Sequence, residues 1–115
     1  MRGQMELDIA IECDGSVCKI VLNGEVDVYS APILKERLLE QVQNGCVDLI
    51  LDLNGVSFID SSGLGVLVGA LRRVRENSGT LRIVCGRDNV LKVFSITGLD
   101  KVFPVFDSFE EASNF

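Results

Sequence analysis

The sequence predicts an α/β domain in which helices pack on a mixed, mainly parallel sheet. Three observations predict it. The chain opens with two short alternating segments joined by a turn, a branched apolar run over residues 47–53 has no wet face, and helix and strand periods alternate from there to the end. Met5 to Glu12 alternates apolar Met5, Leu7, Ile9 and Ile11 with polar or small neighbours, the period of a strand with one solvated face. Val17 to Asn23 is a second strand, and Asp14-Gly15 between them is turn chemistry, so the opening is a β-hairpin. The period then lengthens to that of a helix. Ser30 stands at the N-cap position, Pro32 is tolerated in the first turn, and Ala31, Leu34, Leu38 and Val42 form a stripe ending at Gly45.

The run "VDLILDL", residues 47–53, suits a strand covered on both faces. Leu64 to Asn77 is helical, with Gly79 closing it, and Thr80 to Cys85 is another strand. Asp88 can cap a helix running to about Ile96, with Gly98 beyond its end. Lys101 to Phe106 is a last short strand that Pro104 confines to an edge, and Ser108 with Glu111 three residues later opens a terminal helix as a capping box. The order is β-β-α-β-α-β-α-β-α.

With 115 residues, 47% of them hydrophobic, the chain is sized for one domain over 1–115, with its core over 5–112. The net charge of −6, and no basic run longer than Arg72-Arg73, argue against nucleic acid and leave a basic or neutral protein as the easier partner. No segment approaches the roughly 18–20 apolar residues of a membrane span, and no secretory leader opens the chain, so the expectation is a cytoplasmic protein without membrane contact. The absence of histidine removes Ser-His-Asp and Cys-His nucleophiles, histidine phosphorelay and most metal sites. Cys13, Cys18, Cys46 and Cys85 show no CxxC or zinc spacing. Cys13 and Cys18 could face one another across the hairpin, but free, partly buried thiols are expected, with no metal or cofactor.

The stretch "VSFIDSSGLGVLVGALRRV", residues 56–74, concentrates the chemistry. Asp60, Ser61 and Ser62 fall where a central strand hands over to a helix, and the first N–H groups of that helix lack internal partners. Asp60 or Ser61 can cap them. With Leu64 marking the core direction, Leu67, Val68, Leu71 and Val74 share its side, while Gly65, Val66 and Gly69 begin the opposite one. Two interior glycines cost about 1 kcal/mol each. Either they let the helix approach a neighbouring element, or they leave a shallow outer patch for a docked partner. The third glycine falls one residue late for dinucleotide binding, and the phosphate-loop ending and the hydrolase elbow are both missing. What remains for a hydroxyl with no base beside it is to be modified by another protein. A phosphate on Ser61 would add roughly −1.5 to −2 charge, partly balanced by the helix dipole, beside the Asp60 carboxylate.

The segment "DLNGVSFIDSSGLGVLVGALRRV", together with "NGEVDVYSAP" upstream and "GLDKVFPVFDSFEEA" near the end, resembles bacterial anti-sigma factor antagonists of the STAS domain family over nearly the whole chain. The resemblance implies a single STAS domain and a non-enzymatic regulator that switches partners. The unmodified form would capture an anti-sigma factor with serine kinase activity and so free a sigma factor. Phosphorylation of Ser61, with Ser62 the second choice, would release it, and a separate metal-dependent serine phosphatase would reset it. ATP and magnesium would belong to the kinase. The family's docking surface maps onto Glu25, Asp27, Tyr29, Ser30, Asp60, Ser62, Gly63, Gly65 and Val66, with Asp27 also readable as a helix-entry acid. Three rivals stand beside this reading: a STAS scaffold in a stress-sensing assembly, a ligand-binding STAS module, and a phospho-aspartate receiver using Asp52 or Asp60.

Overall fold

A computed structural model describes residues 7–115; Met5 and Glu6, which begin the expected first strand and core, lie outside the described residues. Strands β1 (Asp8–Asp14) and β2 (Val17–Val26) form the antiparallel hairpin. Asp14 pairs with Val17 as part of the ladder, so the turn itself is Gly15-Ser16, with Gly15 at φ +64°. Glycine leads that two-residue loop because a hairpin turn requires a positive φ there. The order continues with α1 (Ala31–Gln43), β3 (Asp48–Ile59), α2 (Ser61–Glu76), β4 (Thr80–Val84), α3 (Asp88–Thr97), a 3-10 turn (Leu99–Lys101), β5 (Val105–Phe106) and α4 (Phe109–Ser113).

The sheet runs β1-β2-β3-β4-β5, with every pair after the hairpin parallel. Three successive crossovers advance the sheet in one direction, and a right-handed connection each time places α1, α2 and α3 on the same face. The packing agrees: Leu34, Leu38, Leu67, Leu71, Val90 and Phe94 from those helices share one core with Ile20, Leu22, Leu49, Leu51, Leu53, Leu81 and Ile83. On the opposite face α4 covers Ile50 and Val84 with Ala112, flanked by Phe106 and Phe109. Strand β3 is therefore sandwiched, as its unbroken apolar run requires. Among the described residues no helix is long and apolar enough to cross a membrane.

Several expectations need correction. Strand β3 continues to Ile59 instead of ending at Leu53. Its register against β2 steps from Val21↔Asp52 to Asn23↔Gly55 and from Gly24↔Val56 to Glu25↔Phe58, so β3 supplies an extra residue each time. These bulges break the period-2 pattern that alternation depends on. Helix α2 begins at Ser61, not Leu64, and Gly79 does not take its left-handed closing position. Ser78 does, at φ +62°, while Gly79 N donates to Val74 O at 2.7 Å and Ser78 N to Arg75 O at 3.1 Å. This pair of bonds is a Schellman closure. Position 79 needs glycine for room, since a Cβ there would strike the Val47 carbonyl. Asp88 is the first residue of α3, with Arg87 at the N-cap position. The last strand shrinks to Val105–Phe106 because the 3-10 turn takes up Leu99–Lys101. The Ser108 hydroxyl does cap α4, accepting from Glu111 N, but the Glu111 carboxylate turns back to Asp107 N.

The cysteines also depart from expectation. Cys85 is a buried free thiol as expected, but Cys13 and Cys18 are joined by a disulfide across the hairpin instead of standing free, and the Cys46 sulfur lies directly against that of Cys18. Cys13 faces Cys18 across the hairpin, and Cys46 arrives beside them because β3 begins next to the start of β2. No spacing along the chain reveals that third approach.

Candidate functional site

The C-terminal ends of β2 and β3 are neighbours in the sheet, so the loops that leave them meet. A bond from Asp60 N to Val26 O, 3.1 Å, ties them together. At the seam Asp60 is extended (φ −114°, ψ −172°), and its Oδ1 accepts from Ser62 N at 2.9 Å and Gly63 N at 3.2 Å. Asp60 is thus the cap, which leaves Ser61 free of that duty. Ser61 is exposed at the first position of α2, and its hydroxyl bonds to none of the described residues. Ser62 is half-buried beside it.

The preceding turn is organised by Asp27. Its Oδ1 accepts from Tyr29 N and Ser30 N, each at 3.0 Å, and its carbonyl from Ala31 N at 2.8 Å. This is the helix-entry role. Ser30 needs revision: it occupies the N-cap position of α1, yet its side chain caps nothing there. It is 5% exposed, donates to Glu25 O at 2.8 Å and accepts from Asp27 N at 3.0 Å. Ser30 therefore holds the turn's shape and presents no side chain to a partner. Gly63 is likewise buried, since a Cβ would collide with Val26 Cγ1 and sit 2.9 Å from Ile59 Cγ1. Glu25 is half-buried, and Tyr29 is 74% exposed.

The outer glycines of α2 are settled by space. A Cβ at Gly65 or Gly69 would meet nothing within 4 Å, so neither glycine serves a close helix approach. Together with Ser62, Val66, Lys35 and Leu39 they line a groove of about 510 Å³ between α1 and α2. Val66, expected to be exposed, is half-buried and packs against the core from the groove's floor, and Val68 is only partly buried on its side. Further along, Arg72 and Arg73 bring positive charge, Arg73 pairing with Glu76 at 3.6 Å. Acids at the turn and bases along the groove divide the surface by sign.

Three apolar residues on this edge escaped the sequence reading: Val28 (59% exposed), Ile33 (56%) and Phe58 (46%). Phe58 had a signal, since it stands one residue from buried Ile59 in a strand that should alternate. The bulge at residues 56–58 turns it out. A receiver fits none of this. The two carboxylates it would use are tied to local turns, Asp60 as the cap and Asp52 accepting from Asn54 N at 2.9 Å, and the sheet opens with a hairpin.

The STAS domain family model matches residues 8–112. The anti-sigma-B factor antagonist of Bacillus subtilis (strain 168) is 34% identical over 88% of this chain and 92% of its own length. The anti-sigma-B factor antagonist of Staphylococcus aureus (strain NCTC 8325 / PS 47) is 35% identical over 92% of this chain and 98% of its own. Among solved structures, the anti-sigma factor antagonist SpoIIAA in its unphosphorylated form superposes with a TM-score of 0.81 at 25% identity, covering 93% of this chain and 94% of that one.

Proposed function

Since the chain belongs to the STAS domain family, we propose that it works as an anti-sigma factor antagonist whose release from its partner is driven by phosphorylation of Ser61. The observation that carries the reading is the division of labour at the seam. Asp60 caps α2 and Ser61 projects, exposed and unbonded, into the surface that carries Tyr29, Phe58 and the α1–α2 groove.

The cycle follows from charge. With Ser61 bare, the exposed aromatic and aliphatic side chains and the shallow groove offer an anti-sigma factor an apolar contact with polar margins. The partner's kinase activity supplies ATP and magnesium. The Ser61 oxygen attacks the γ-phosphorus, the bond to the β-phosphate oxygen breaks, ADP leaves, and the hydroxyl proton passes to a base on the kinase. The product adds roughly −1.5 to −2 charge next to Asp60. The fold tolerates it because the helix N-terminus favours an anion and no internal bond is lost. A docked partner does not, since it would have to desolvate that charge against its own surface. A serine phosphatase restores the bare hydroxyl. The protein supplies no catalytic group of its own, and it acts in the cytoplasm, where sigma factors meet RNA polymerase.

The test mixes the purified protein with a cognate anti-sigma kinase and ATP and locates phosphate by mass spectrometry. Label is expected on Ser61 alone. Ser61→Ala should abolish labelling and keep the complex, and Ser61→Asp should weaken it. Label on another residue, or equal affinity for bare and phosphorylated forms, overturns the reading.

A further inference from the structure

At the far end of the sheet from Ser61, about 35 Å away along the length of β3, three sulfurs converge. The Sγ atoms of Cys13, Cys18 and Cys46 all lie within 4.8 Å of one another. Cys18 is fully buried and Cys46 6% exposed, while Cys13 is exposed and leaves one side open. Three separate segments contribute: the two strands of the hairpin and the loop between α1 and β3. Helix α1 adds Gln41, whose Oε1 lies 3.5 Å from Cys13 Sγ and 3.9 Å from Cys18 Sγ.

A disulfide joins two sulfurs only. The Cys13–Cys18 disulfide leaves the Cys46 sulfur packed against it without a settled bond. In the reduced chain the same three side chains are thiols on adjoining segments, and one ion with the sulfurs spread around it satisfies all three at once. We propose that Cys13, Cys18 and Cys46, once reduced, form a three-thiolate site for a thiophilic closed-shell metal ion, Cu(I) or Zn²⁺, with the Gln41 amide beside it to donate an N–H to a thiolate or an oxygen to the ion. Thiolate is the donor that selects these ions, and among the described residues no carboxylate joins the cluster to favour a hard cation. Cu(I) accepts three sulfurs as a complete trigonal set. Zn²⁺ would take a fourth donor, from the Gln41 oxygen or from water at the open side. Each thiol gives up its proton on binding, so one ion enters as three protons leave. The bound ion would pin the hairpin to the end of α1.

Cys85 supplies the internal control. It is buried elsewhere, its thiol pushed above the ordinary value by desolvation.

The experiment titrates the full chain, reduced and kept free of oxygen, with Cu(I) held by a colorimetric chelator and, in a separate arm, with Zn²⁺. Uptake of one equivalent in either arm, with release of about three protons per ion, supports the site and the relative affinities identify the ion. Cys13→Ser, at an exposed position where folding is not at stake, should weaken binding at least about 10-fold, and Gln41→Ala by about 10-fold. Cys85→Ser should change nothing. The proposal fails if the reduced protein retains neither ion at one equivalent, or if Cys13→Ser binds as tightly as the parent. It also fails if the reduced chain, offered one equivalent of either ion, keeps all three thiols open to alkylation.

Discussion

The turn over residues 25–30 and the seam over residues 60–63 sit side by side at one edge of the sheet and use the same side chains, an acid followed closely by serine. Their serines have opposite fates. Ser30 is buried and makes bonds to Glu25 O and Asp27 N, so its hydroxyl is consumed in holding the chain. Ser61 is exposed and makes none, because Asp60 has already satisfied Ser62 N and Gly63 N. The difference teaches that residue type does not make a switch. A hydroxyl becomes available for modification when its neighbour does the capping.

The contrast can be broken most sharply by exchanging each serine for alanine. Ser30→Ala removes the bonds that a buried hydroxyl makes to the half-buried Glu25 carbonyl and Asp27 N–H and should destabilise the fold by about 1–3 kcal/mol, whereas Ser61→Ala should stay within about 0.5 kcal/mol of the parent. Denaturant unfolding at constant slope measures both, and equal losses would show that Ser61 is structural after all. A smaller effect tests the cap. Asp60→Ala should cost about 1 kcal/mol, and Asp60→Asn should recover most of it because an amide oxygen still accepts from the two N–H groups; no difference between them in thermal midpoint would mean that charge, not geometry, sets the seam. The smallest effect separates the glycines. Gly65→Ala, in open space within a helix, should stabilise the protein by about 0.5–1 kcal/mol while loosening the partner complex. Gly63→Ala should destabilise it through Val26 and Ile59. Calorimetry for stability and surface binding for affinity read the two consequences separately.

Much of this was legible because local patterns are strong where packing obeys them. The α1 stripe of Ala31, Leu34, Leu38 and Val42 is the set the structure buries, since a helix on a sheet face has one inward side. The two-sided burial of β3 followed from a run with no polar alternation. Reading failed where geometry departs from its period. Two bulges hid the second half of β3 and turned Phe58 outward, and a serine took the left-handed position at the end of α2 that glycine was expected to hold.

Periodicity and residue chemistry by themselves determined the order of elements, the core stripes and the seam that carries Ser61, because each of these depends on neighbours a few positions apart. Tertiary structure alone decided which serine is free, that Gly65 and Gly69 border a groove rather than a helix contact, and that Cys46 joins Cys13 and Cys18. Burial and through-space approach depend on how parallel strands are laid beside one another, and the sulfurs of Cys18 and Cys46, 28 positions apart in the chain, come into contact only when the sheet forms.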